Sequence, residues 1–236
     1  MRSYKSSLMP RQPTNKKPLG VPEDVAAIRK KLKAFLDTQT ADGRKIGGAK
    51  FGVYAFFDYD GEPIYVGQTY ESLRSRIGRH LTNQRTDAVA MNVLDPFEVA
   101  EIEVWPFFDL EGKEATDVRP VLDAAEYTVF QLALKNSTFK AVLNEGEITP
   151  TKPIKLPKAY RGKIIPDDLF VQRKHPDVRI ARRATTIASL ARVISEREVS
   201  IGLRKTLRTQ AQRLEKLATD RYAELAKSPP PQENDN

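Results

Sequence analysis

The apolar positions of this 236-residue chain change period along its length, and the changes mark out its elements. Residues 22–38, PEDVAAIRKKLKAFLDT, repeat Val25, Ile28, Leu32 and Phe35 at the spacing of one helix face. Pro22 suits the start of that helix, with Glu23 and Asp24 in its first turn. Two short apolar runs follow, around Gly52-Val53-Tyr54 and Tyr65-Val66-Gly67. Asp60-Gly61 lies between them and suits a tight hairpin turn, since both residues tolerate positive φ. The runs should therefore pair as antiparallel strands. A helix from Glu71 to about Thr82 comes next, then a loop with a short helical piece over 83–96. In VAEIEVWP (99–106), Val99, Glu101 and Glu103 alternate with Ala100, Ile102 and Val104, which predicts a third strand with Pro106 at its end or on an edge. Residues 118–135 return to the helical period, with Pro120 in the first turn and Leu122, Ala125, Val129 and Leu132 on one stripe.

The flanks read differently. Residues 1–21 are polar and basic, a disordered arm, and 228–236 (SPPPQENDN) form a disordered tail. Residues 149–161, TPTKPIKLPKAYR, suggest an extended linker that continues through the unassigned stretch to 179. Two helical segments follow near 182–197 and 200–226. Leu203, Leu207, Leu214 and Leu217 recur in the second, pointing to a helical hairpin or short coiled coil over 180–227. This leaves 22–148 as the folded domain with its N-terminal helix.

Charge sharpens the division. The formal net charge is +8, but residues 51–150 carry 8 Lys/Arg against 17 Asp/Glu, whereas 151–227 carry 19 against 8 and 1–50 carry 12 against 4. An acidic middle between basic flanks leaves polyanion binding to the flanks. The absence of cysteine excludes disulfides and thiolate metal sites and suits a reducing compartment. No apolar run approaches the roughly 18 residues of a membrane span, and the N-terminus lacks a secretory apolar region. The expectation is a cytoplasmic protein.

One stretch carries the chemistry. In FGVYAFFDYDGEPIYVGQTYESLRSRIGRH (51–80) the hairpin brings Tyr54 and Tyr65 onto one sheet, and Arg76 and His80 share a helix face four residues apart. With GVY as the first tripeptide, YVG as the second and tyrosines eleven apart, the stretch resembles the GIY-YIG nuclease superfamily. Glu126 and Asn144 extend the resemblance to about residue 147. It implies an α+β fold, a three-stranded antiparallel sheet flanked by helices, and a DNA endonuclease that hydrolyses phosphodiesters with one Mg²⁺ or Mn²⁺ per site.

The resemblance also implies roles. Tyr54 would deprotonate the attacking water and Tyr65 would position water or phosphate. Arg76 would hold the scissile phosphate, with Arg74 and Arg79 as competitors. His80 would relay a proton or contact phosphate; a histidine here is found in the homing and restriction branches of the superfamily, where the excision-repair branch has tyrosine. Glu126 would bind the metal, with Glu114, Asp117 and Asp123 as weaker candidates. Asn144 would close the site, with Asn136 as the fallback. Gln84, Arg85, Thr86 and Asn92 suit either DNA contact or a plain surface loop. The implied partner is double-stranded DNA. The expected activity is that of a type II restriction enzyme acting as a homodimer on DNA, with the leucine stripe either joining the two copies or buried within its own chain. The alternatives are a structure-specific or phage-type GIY-YIG nuclease and a non-cleaving DNA-binding protein on a relic nuclease fold.

Overall fold

The computed structural model describes residues 23–83, 93–144 and 146–227. The arm, the tail and the candidate contacts Gln84, Arg85, Thr86 and Asn92 lie outside the described residues.

The fold is α+β around an antiparallel sheet of order β2-β1-β3-β4. Its strands are β1 (Gly52–Phe57), β2 (Pro63–Thr69), β3 (Glu101–Pro106) and β4 (Tyr160–Lys163). The expected three-stranded sheet thus has a fourth strand, drawn from the stretch read as linker. Residues 160–163 alternate half-buried and exposed positions over only four residues, too short a period-two signal to stand out in sequence. Gly162 is required there: a Cβ would lie 2.6 Å from the ring of Phe35 on α1 (Glu23–Leu36).

The β1–β2 connection is longer than the tight turn expected from Asp60-Gly61. Only Gly61 takes positive φ, at 76°, and the loop spans Asp58 to Glu62. Asp58 organises it, its carboxylate accepting from the backbone N–H groups of Asp60 and Glu62.

The alternation of each strand gives the sheet two apolar faces. Val53, Ala55, Phe57, Val66 and Trp105 pack against α3 (Ala115–Asn136) through Val118, Leu122, Ala125 and Val129. Tyr54, Phe56, Ile64, Ile102 and Val104 pack on the other side against α1, α2 (Leu73–Gly78) and the C-terminal helices. Helix α3 begins a turn earlier than expected, so Pro120 is interior rather than in the first turn, and Leu132 is 46% exposed, off the buried stripe. After α2 the helix widens into a π-type turn, Arg79–Asn83, that carries His80 inward to zero exposure.

The C-terminal half adds α4 (Asp167–Lys174), α5 (Pro176–Glu196) and α6 (Ile201–Ala226). Helices α5 and α6 form an antiparallel hairpin that packs on the sheet rather than standing apart. Leu190, Val193 and Leu203 are buried in the same apolar cluster as Tyr54, and Leu207 packs against it. The leucine stripe is therefore used at its start within the chain, which removes Leu203 and Leu207 from the dimer interface expected there. Polar groups fasten the hairpin further. Arg179, Arg183 and Arg213 converge on the Asp58 carboxylate at 3.0, 2.9 and 2.6 Å, and all four side chains are buried. Glu98 lies beside them, 3.2 Å from Arg183. No helix of the described residues is long and apolar enough to cross a membrane.

Candidate active site

The edge strand β2 places the site. Tyr54 on β1 stands opposite Gly67 on β2, so the side chain that Gly67 lacks is the one the phenol would meet. A Cβ at Gly67 would lie 2.5 Å from the Tyr54 hydroxyl. The second tripeptide needs glycine for this close approach. Tyr65, two residues earlier, lies on the same face of β2, its ring 6.3 Å from that of Tyr54 and stacked on it at 25°.

Helix α2 and the turn after it close this face. Ser72 caps α2 by accepting from the Ser75 N–H. One turn on, Arg76 Nε donates to the Tyr54 oxygen at 3.2 Å, and Tyr54 Oη lies 2.8 Å from His80 Nε2. Burial lowers the His80 pKa to about 3, helped by the charges of Arg76 and Arg79, so the imidazole is neutral. A neutral ring with Nε2 accepting carries its proton on Nδ1. With that tautomer the chain reads Arg76 N–H to Tyr54 O and Tyr54 O–H to His80 Nε2, and the Nδ1–H is buried without a hydrogen-bond partner among the described residues. The two competing arginines are engaged elsewhere, Arg74 with Asp37 at 2.7 Å and Arg79 with Glu71.

The far face of β2 supplies carboxylates. Gln68 points to α3 and donates through Nε2 to Asp123 Oδ1 at 2.8 Å. Asp123 and Glu126 are one helical turn apart, and both line a cleft that Tyr65, Gly67 and Arg76 line as well. The cleft thus wraps the free edge of β2, with Tyr65 and Arg76 to one side and α3 to the other. Asn144 is the pin at this edge. Its Nδ2 donates to Val66 O at 2.7 Å and its Oδ1 accepts from Val66 N at 3.3 Å, satisfying backbone groups that no strand pairs.

Of the six expected site residues, Tyr65, Arg76, Glu126 and Asn144 line the cleft, Tyr54 bonds Arg76 from behind it, and His80 meets Tyr54 and the ring of Tyr65; Asn144 also holds the β2 backbone. The weaker candidates Glu114 and Asp117 sit at the start of α3, and Asn136 at its end, none of them among the residues lining the cleft. Sequence reading passed over Gln68 and Arg119, both in the cleft wall. The position of Gln68 directly after Tyr65-Val66-Gly67 was its one available signal.

The donor set suits a hard divalent cation. Glu126 and Asp123 offer carboxylate oxygens. Gln68 Oε1 is buried and without a hydrogen-bond partner among the described residues, while its amide nitrogen is fixed on Asp123. No group of three or more His, Cys, Asp or Glu gathers as a metal cage among the described residues. That is compatible with Mg²⁺, which keeps waters and takes one or two carboxylates together with substrate phosphate.

Residues 50–115 match the family model described as the GIY-YIG catalytic domain. The chain carries a GIY-YIG domain. The match contains Tyr54, Tyr65, Arg76 and His80, the residues joined on the helix α2 side of the cleft. It ends as α3 begins, before Glu126. A GIY-YIG domain implies nuclease activity, with DNA as substrate. No curated protein matches the chain, and no solved structure does.

Proposed function

We propose that the protein is a DNA endonuclease dependent on Mg²⁺ or Mn²⁺ that cuts double-stranded DNA at a specific sequence, as type II restriction enzymes do. The observation that carries this reading is the meeting of Tyr65, Arg76 and Glu126 in one cleft, with the buried Tyr54–His80 pair directly behind Arg76. A histidine at position 80 favours the restriction branch of the superfamily over the excision-repair branch.

In this reading the half-buried Arg76 holds the scissile phosphate and stabilises the charge that grows on it. Its Nε–H already fixes the Tyr54 oxygen. Tyr54 is buried behind Arg76 in the free protein; as Arg76 turns to the phosphate the phenol opens to the cleft and takes a proton from the attacking water as its own proton passes to His80 Nε2. Arg76 steadies the phenolate character that develops. Burial keeps His80 neutral, with the charges of Arg76 and Arg79 adding to it; the incoming phosphate offsets the arginine part, which makes the imidazole a better acceptor once substrate is bound. Tyr65 orients the water or phosphate from the cleft wall. Asn144 acts through β2, holding Val66 and with it the residues on either side. Glu126, with Asp123 and Gln68 beside it, would hold the cation, which when bound neutralises phosphate charge and acidifies water.

Each site so built cuts one strand. A double-strand break takes two copies meeting on a palindrome or two visits by one copy. The test is incubation of supercoiled plasmid with the protein and Mg²⁺, followed by sequencing of the product ends. Linear fragments with the same ends at every copy of a short sequence are expected. Nicks scattered without a common sequence, or intact plasmid, would overturn the restriction reading.

A further inference from the structure

Six arginines of the C-terminal half are buried against protein or held in ion pairs. Arg179, Arg183 and Arg213 surround Asp58, while Arg173, Arg182 and Arg221 pair with Asp24, Asp95 and Asp177. These guanidinium groups neutralise the acidic domain and are not available to a polyanion. Arg192, Arg204 and Arg208, by contrast, are exposed and form no ion pair among the described residues. Lys205 meets only Glu147, at 3.3 Å, and both side chains are about 70% exposed. So open a pair is weak, and Lys205 can leave it for a stronger anion.

These cations gather at one end of the hairpin. Arg183 bonds the Arg213 carbonyl and Asp177 pairs with Arg221, which sets Arg192 level with Arg204 and Lys205. No acidic residue stands between Ile201 and Leu214. Arg208 follows Arg204 by four residues and Lys205 by three, so its side chain starts about 5–6 Å from each of theirs on the helix surface.

The same end adjoins the catalytic cleft. Gly202, Lys205 and Thr206 line a depression whose opposite wall is Asn144, Gly146, Ile148 and Thr149. Those wall residues also bound the cleft that holds Arg76 and Glu126. The cleft itself is poorly equipped for a polyanion, since Asp123 and Glu126 line it and the segment around it is acidic.

We infer that the Arg204–Lys205–Arg208 face of α6 binds the sugar-phosphate backbone of the DNA that flanks the scissile bond. The inference rests on the nuclease reading above and goes beyond it by assigning the surface that supplies affinity. Arg76 grips the reacting phosphate; the α6 face holds its neighbours on the same duplex.

The experiment measures binding of a fluorescent duplex excised from the plasmid substrate, in EDTA so that nothing is cut, over a series of salt concentrations. One variant combines Arg204→Ala, Lys205→Ala and Arg208→Ala. A second removes the same charge from α1, with Arg29→Ala, Lys30→Ala and Lys33→Ala. All six side chains are exposed, and unchanged thermal unfolding confirms that both variants fold. Loss of three phosphate contacts should lower the slope of log K against log salt by about 2–3 in the α6 variant, and leave it at the wild-type value in the α1 variant. An unchanged slope in the α6 variant, or equal drops in both variants, overturns the inference. If wild-type protein cuts plasmid while the α6 slope is unchanged, only the surface assignment fails. If wild-type protein neither binds nor cuts DNA, the nuclease reading fails with it.

Discussion

The Tyr54 hydroxyl lies 2.8 Å from His80 Nε2, and both side chains are sealed from solvent. A histidine so placed cannot charge at ordinary pH, with its pKa held near 3. The unfolded chain regains an ordinary imidazole with a pKa of about 6.5. Between those values the unfolded state binds the extra proton, so the contribution of His80 to stability is complete above about pH 6.5 and is lost as pH falls toward 3. From pH 7 to pH 5 the loss should be about 2 kcal/mol. Urea unfolding at the two pH values measures it, with His80→Gln as reference. The wild type should lose about 2 kcal/mol more than the variant over this interval. Equal losses would show that the imidazole is not held neutral.

Arg76→Lys keeps the charge and removes both the Nε–H that meets Tyr54 and the two-pronged grip on phosphate. Single-turnover cleavage should slow about 10²-fold or more, with the Kd for DNA changed only a few-fold, because affinity comes from elsewhere. Arg74→Lys, which alters an ion pair with Asp37, should cut at close to the wild-type rate.

Gly67→Ala puts a methyl group where the Tyr54 hydroxyl stands. The overpacking should cost about 1–3 kcal/mol in urea unfolding. It should also displace Tyr54 from Arg76 and His80, lowering cleavage beyond what the loss of folded protein explains. A fully stable and active variant would place the phenol elsewhere.

Much of this arrangement is legible in the chain. The β1–β2 hairpin, the third strand and the stripes of α1 and α3 follow from local period. The spacing of Arg76 and His80 gave their shared face, although His80 reaches Tyr54 only because a π-type turn follows α2, a backbone choice with no sequence signature. What escaped is long-range. Strand β4 pairs with β3 across more than fifty residues, and its four residues are too few to show a period. Asp60-Gly61 read as a tight turn because the role of Asp58 depends on arginines more than a hundred positions away. Those arginines counted in sequence as free positive charge, whereas burial beside Asp58 and Glu98 removes them from the surface. Gln68 was passed over because its partner, Asp123, is on another element.

The buried charge cluster makes its own prediction. Burial opposes ionisation of Asp58, but Arg213, Arg179 and Arg183 outweigh it and hold its pKa below the usual carboxylate value. Asp58→Asn would leave three buried guanidinium groups without their shared anion. The expected loss is about 3–5 kcal/mol, read by thermal or urea unfolding. A loss below about 1 kcal/mol would mean that the hairpin is held by its leucines alone.

The central claim is that the cleft at the β2 edge cuts DNA through Glu126 and the Tyr54–Arg76–His80 group. Single-turnover cleavage of plasmid with Mg²⁺ by Glu126→Gln and Tyr54→Phe, with DNA binding measured in parallel, tests it most directly. Glu126→Gln should abolish cleavage as EDTA does for the wild type, and Tyr54→Phe should slow it by about 10²–10⁴-fold. Both should bind DNA as the wild type does. Robust cutting by either variant, or full wild-type activity in EDTA, would contradict the account.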